Sequence, residues 1–205
     1  MGQPAGRRRD ALGDAMKRAA RLQRGVTLVE VAIVLTIAAL VYAQGVPLFS
    51  VWLANTHTRT AAESFLNGAQ LARGEAIRRN RAVQMTFDPA NASSWSIGCV
   101  VPIDTGTPGV DDPGDCLAVI RARTAAEASV NPQLLPQPAD AVAITFDSLG
   151  RVIPNVDGSP TSTQIDVSNP LLAADDRRDL RLVFGPAGDV RMCDPRVAPT
   201  DPRGC

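Results

Sequence analysis

The chain is 205 residues long, room for one ordinary domain with an added element, and 45% of it is hydrophobic but only 4% aromatic, so its core has to be built largely from Val, Ile, Leu and Ala. Lys plus Arg and Asp plus Glu each count 21, a net charge of zero, which argues against a protein that coats nucleic acid and against an acidic disordered chain. The single histidine, His57, excludes a zinc site built on several histidines and argues against a His-dependent triad.

Zero is an average over two unlike parts. Residues 1–25 carry seven basic residues (Arg7, Arg8, Arg9, Lys17, Arg18, Arg21, Arg24) against Asp10 and Asp14, a net of +5, so the remainder carries −5. Directly behind this stretch, residues 31–58 hold no formally charged residue, and residues 31–43 (VAIVLTIAALVYA) are apolar apart from Thr36. An apolar run of that length is short for a spanning helix and typical of a signal-peptide core, and Val41-Tyr42-Ala43 would suit a secretory signal peptidase. On that reading the product is a secreted or periplasmic binding protein with a cleaved signal peptide. Against it stand the long arginine-rich leader and Glu30 at the edge of the run. A carboxylate near the bilayer centre costs about 2.5–3.5 kcal/mol, so it calls for a partner.

The junction reads Arg24-Gly25-Val26-Thr27-Leu28-Val29-Glu30, and here the chain resembles the type IV prepilin family, which includes the pseudopilins of type II secretion. The family's pattern is a basic leader ending in Gly, a hydrophobic first mature residue, Thr-Leu-[Val/Ile]-Glu and an apolar helix. The resemblance implies cleavage after Gly25 by a membrane prepilin peptidase and N-methylation of Val26. One departure is visible, since the first mature residue is usually Phe. The constellation also has a physical sense: cleavage exposes an ammonium at Val26, and Glu30 can pair with that of a neighbouring subunit, giving each buried charge a partner and setting axial register in a fibre. The basic leader keeps the N-terminus in the cytoplasm, and the chain beyond the helix is exported. The implied protein is a single-pass inner-membrane subunit with a periplasmic C-terminal domain, whose partners are other pilin or pseudopilin subunits, the peptidase and an inner-membrane assembly platform.

The expected organisation is therefore a leader over 1–25, a transmembrane and assembly helix over 26–52, and a periplasmic pilin-like domain over 53–205. That domain divides into a helix over 53–81 and a β domain over 82–205. Leu53, Thr60, Ala61, Phe65, Ala69, Ala72 and Ala76 recur at three- and four-residue spacings, the mark of an amphipathic helix with small residues on its buried side. One helix over about residues 26–80 would be about 80 Å long. Gly45 and Pro47 predict a kink or local melting over residues 44–48, and Trp52, followed by His57 and Arg59, suits the outer membrane boundary.

Beyond residue 80 the apolar period becomes two. Val83, Met85 and Phe87 alternate with polar residues, and strands are expected at 95–101, 116–123, 142–147, 163–168, 179–184 and 189–193, divided by turn signals at Asp88-Pro89, Leu149-Gly150 and Pro186-Ala187-Gly188. The predicted fold class is α+β, a long N-terminal helix packed on an antiparallel β-sheet or sandwich. VAITFDSLGRV and LRLVFGPAGDVRMCDP resemble the C-terminal hairpins of minor pilins of the GspH/FimT type. A processed minor pilin or pseudopilin that assembles into or primes a type IV pilus or a secretion pseudopilus is the function this resemblance implies.

Cys99, Cys116, Cys193 and Cys205, with no CxxC pair, read in an exported domain as two disulfides. Four cysteines allow three connectivities; proximity favours Cys99 with Cys116 and Cys193 with Cys205, closing loops worth about 3 kcal/mol each in the chain-entropy model. Asp111, Asp112 and Asp115 form an acidic cluster without a regular calcium-ligand spacing and read as a solvated loop, so no metal site is assigned. No nucleophile with a base, no phosphate loop and no paired carboxylates suggest catalysis; the chain is read as neither an enzyme nor a cofactor binder. Some FimT-like pilins bind DNA through an arginine-bearing tail during natural transformation. The candidates here are Arg191, Arg196 and Arg203, but Asp189, Asp194 and Asp201 offset them, and DNA binding needs uncancelled cations. The bridged tail leans towards a type IV pilus.

Overall fold

The computed structural model describes residues 25–106, 114–124 and 131–205; the basic leader, and Asp111 and Asp112 of the acidic cluster, lie outside them. Among the described residues helix α1 occupies Leu28–Arg79 and is followed by nine strands: β1 Val83–Asp88, β2 Asn91–Cys99, β3 Arg121–Arg123, β4 Gln133–Gln137, β5 Ala143–Phe146, β6 Val152–Ile153, β7 Gln164–Ser168, β8 Leu180–Phe184 and β9 Val190–Cys193. The chain separates into two compact units, one ending at Leu48 and one running from Phe49 to Cys205.

The described side chains up to Leu48 are all exposed, including Leu28, Leu35, Leu40 and Leu48, and α1 is long and apolar enough to cross a membrane. The local melting expected over residues 44–48 is corrected, because helical structure continues through Gly45 and Pro47. Proline deletes one donor while the turns on either side keep theirs, and in an apolar setting every other backbone group is held to its helical partner by the cost of leaving it unpaired.

In the second unit the buried face of α1 is Thr58, Ala61, Ala62, Phe65, Ala69, Ala72 and Ala76. Two expected members of the stripe are corrected: Thr60 is exposed and Leu53 is 40% exposed, since the face that meets the sheets begins at Thr58, two residues away from Thr60 and therefore on a different side of the helix. The helix stops in a left-handed cap. Asn80 has φ 51°, and Arg81 N donates to Ala76 O at 3.1 Å, closing the last carbonyls.

Five strands form one sheet in the order β3-β2-β1-β5-β6 and four form a second in the order β4-β7-β8-β9, every pairing being antiparallel. Val83, Met85 and Phe87 of β1 point inward, as their period of two requires. The ring of Phe65 on α1 stands edge-on to Phe87 of the first sheet at 5.2 Å and to Phe184 of the second at 6.4 Å, so one side chain joins helix and both sheets in a single buried cluster.

Three strand expectations need correction. β2 ends at Cys99, so Val100 and Val101 lie beyond it. The strand expected over 116–123 is reduced to β3. Ahead of it, Cys116 makes an isolated bridge with Ile103, and Ala118 O lies so close to Gly98 that a Cβ there would overlap it; the chain crosses β2 too closely to keep a regular ladder. β4 (QLLPQ) matches none of the expected strands, and it contains a proline. It lies at a sheet edge, the position where a strand tolerates a residue without an N–H.

Candidate functional site

Gly25, Val26 and Thr27 precede the helix as exposed, non-helical residues, leaving the Gly25–Val26 peptide bond accessible. Thr27 Oγ1 accepts from Glu30 N at 3.2 Å, and Val31 N donates to Thr27 O at 3.1 Å. Thr27 is thus the N-cap of α1 and Glu30 stands at the third helical position, the spacing of a capping box. The Thr-x-x-Glu spacing carries a signal that a reading centred on processing overlooks: the same residues start the helix, and Glu30 sits favourably near its positive end.

The two C-terminal hairpins are tied to the helix. Arg73 Nε donates to Gly150 O at 2.9 Å and its Nη2 to Ala187 O at 3.2 Å, while Val152 N donates to Pro186 O at 3.2 Å. The turns nest because both glycines adopt positive φ, 75° at Gly150 and 80° at Gly188, and because a Cβ on Gly188 would overlap Gly150 O. Asn55 holds the segment before β8, its Nδ2 donating to Asp176 O at 2.8 Å and its Oδ1 accepting from Arg178 N at 2.8 Å.

Both disulfides close within the second unit, Cys99 with Cys116 and Cys193 with Cys205, so all four thiols are committed and none is free. Asp115 corrects the reading of a solvated acidic loop: it is 2% exposed, and its Oδ1 accepts from Thr105 N at 2.7 Å and Thr105 Oγ1 at 2.6 Å. Arg79 anchors that loop to the end of the helix through Asp115 O at 2.6 Å. At the same helix end burial alone would raise the Glu75 carboxyl, but the bonds it accepts from Arg78 and Arg79 outweigh burial and hold it below the usual range.

In the tail, Asp194 N donates to Arg203 O at 2.7 Å, and Asp194 bridges to Gly204. Arg203 hydrogen-bonds the Asp201 carboxylate, which lowers its pKa to about 2. The tail arginines do not converge as a cationic patch. Arg203 is paired with Asp201 at 3.0 Å, Arg196 donates to Ala174 O, and Arg191 sits apart on β9, opposite Val183. Among the described residues no group of three or more His, Cys, Asp or Glu side chains could hold a metal ion.

A family model described as type II transport protein GspH matches residues 61–188, more than half of the chain. The chain belongs to the GspH family. In fold it is similar to the type IV minor pilin FimU of Pseudomonas aeruginosa (strain PAO1), at 20% identity and a TM-score of 0.46 over 71% of this chain and 95% of that one. It is also similar to the minor pseudopilin EpsH of the Vibrio cholerae type 2 secretion system, at 18% identity and a TM-score of 0.42 over 69% and 99%. A comparison with curated proteins finds no match. As a GspH-family chain it is a minor pilin or pseudopilin, a class of structural subunits that assemble with one another. The match opens at Ala61, the first of the buried helix alanines, and closes at Gly188, the glycine nested on Gly150. The Gly25–Glu30 segment and the bridged tail lie outside it.

Proposed function

We propose that this GspH-family chain is made as a prepilin, held in the inner membrane by the first half of α1 with residues 53–205 in the periplasm, and cleaved between Gly25 and Val26 by prepilin peptidase. The mature subunit, N-methylated at Val26, passes through an inner-membrane assembly platform into a type IV pilus or a secretion pseudopilus. The observation that carries this reading is the run of α1 from Val31 to Leu48, free of charge and with its described side chains exposed, which follows the Thr27 cap and Glu30 in a chain of this family. Among the described residues nothing buries this surface, and a bilayer followed by neighbouring helices of the same kind supplies a partner. Glu30 then meets the ammonium of an adjacent Val26.

Intact-mass analysis of the protein from its native membrane tests this. A mature chain beginning at Val26, absent in Gly25→Arg, is expected; a terminus at Gln44 would instead mark a protein released by signal peptidase.

A further inference from the structure

Trp52, Thr56 and Arg59 follow one another along α1 at spacings of four and three, so they share a face of the helix. They form one wall of a groove of about 500 Å³ whose other wall includes Arg178, Asp194 and Arg203. Trp52 is 61% exposed. Among the described residues Arg59 is held by an exposed pair with Glu63, of a kind that exchanges readily, and Arg203 by a similarly exposed pair with Asp201. Arg178 forms no ion pair among the described residues, although its backbone N–H is fixed by Asn55. The groove thus presents guanidinium donors, one carboxylate and an indole.

Its place along the chain is informative. Arg59 is the first charged residue after Glu30. A hydrocarbon core about 30 Å thick takes up about 20 helical residues, which counted from Val31 ends just short of Trp52, the residue type that favours the boundary. Arg59 follows about 10 Å further along the helix, close enough for a long side chain to reach back to phosphate level.

We propose that this groove holds the headgroup of an aminophospholipid while the subunit stands in the bilayer. Arg59 and Arg178 donate to the phosphodiester by charge-assisted bonds, Asp194 accepts from the headgroup amine, and Trp52 lies against the glycerol region. The mixed charge of the groove fits a zwitterion better than the unbroken negative charge of a nucleic acid. Entry into a fibre then requires release of the headgroup. The inference rests on the membrane-anchored reading above.

The test is native mass spectrometry of the full mature chain in non-ionic detergent, titrated with phosphatidylethanolamine. Diacylglycerol with the same chains serves as the headgroup-free control; inorganic phosphate and duplex DNA are separate arms. Saturable binding of one phosphatidylethanolamine is expected, weakened at least about tenfold in R59A/R178A by loss of two charge-assisted bonds. Asp194→Lys should move the preference from phosphatidylethanolamine to phosphatidylglycerol. Equal binding of diacylglycerol, affinity undiminished in R59A/R178A, no change of preference in D194K, or equal occupancy by inorganic phosphate or DNA would overturn the proposal. Alkaline carbonate washing of native membranes separates the two readings. Release of the chain sinks the anchoring and this proposal together, whereas a retained chain without headgroup preference sinks this proposal alone.

Discussion

The side chain of Arg73, near the C-terminal end of α1, donates to Gly150 O at 2.9 Å, and through a second nitrogen to Ala187 O, so one guanidinium fastens a turn from each sheet to the helix. Hydrogen bonds from a charged donor contribute about 1.5–3 kcal/mol, and Arg73→Ala should lower unfolding free energy by about that amount. Gly188→Ala should cost more, about 2–4 kcal/mol, because it adds left-handed strain to an overlap with backbone that cannot move aside. Urea titration followed by near-ultraviolet circular dichroism checks both. An unchanged midpoint for Gly188→Ala would show that the turns do not nest.

The tail owes its form to the bridge between Cys193 and Cys205, which are 12 positions apart, and to prolines at 195, 199 and 202, since little of it is buried. Replacing both cysteines by Ser should remove up to about 3 kcal/mol and open the Arg196 and Arg203 peptide bonds to trypsin while the sheets stay resistant. Limited proteolysis with mass mapping reads this out; equal resistance in the variant would mean the loop is held by other means.

Asp201 supplies a pH dependence. The hydrogen bond from the Arg203 side chain, the bond from its backbone N–H and its charge bring the carboxyl from 3.8 to about 2. A carboxyl depressed in the folded state stabilises above its unfolded value and loses that contribution as pH falls through the folded one. Tail order should therefore hold above pH 3.8 and decay as pH drops towards 2. Carbon-13 titration of the Asp201 carboxyl should give a midpoint near 2, rising in Arg203→Ala but staying below 3.8 because the backbone bond remains. A midpoint of 3.8 in the unaltered chain would mean the pair does not form in solution.

Glu30 is expected to act in assembly. Glu30→Val should leave cleavage at Gly25 and membrane insertion intact, because Thr27 still caps the helix through its own hydroxyl, yet reduce recovery of the subunit in sheared fibres at least about tenfold, the cost of an unpaired buried ammonium. Immunoblots of sheared and membrane fractions compare the two pools; equal incorporation would remove Glu30 from the interface.

Arg196 and Arg203 are engaged and Arg191 stands apart from them, so duplex DNA should bind no tighter than about millimolar at physiological salt. Replacing Arg191, Arg196 and Arg203 by Ala should change this little in a mobility-shift titration. Micromolar binding that weakens steeply with salt and vanishes in the triple variant would restore a role in DNA uptake.

What the residues disclose on their own depends on the range of the interaction that carries it. The basic leader and the charge-free run are contiguous, so charge and hydropathy along the chain are enough to raise the expectation of a membrane segment, and the resemblance to prepilins rests on the equally local motif Gly25 to Glu30. The alternation of Val83, Met85 and Phe87 marks β1 for the same reason, because a strand's period is written in its own residues. Thr60 illustrates the limit: helical spacing shows that a buried face exists, but which face is chosen depends on where the sheets meet the helix. β4 is hidden in the sequence because its proline is acceptable only at a sheet edge, and an edge is a property of the assembled strands. Arg73 carries no signal at all. Its two carbonyl partners lie 77 and 114 positions away, and only the folded chain, with Gly188 nested on Gly150, brings them within reach of one side chain.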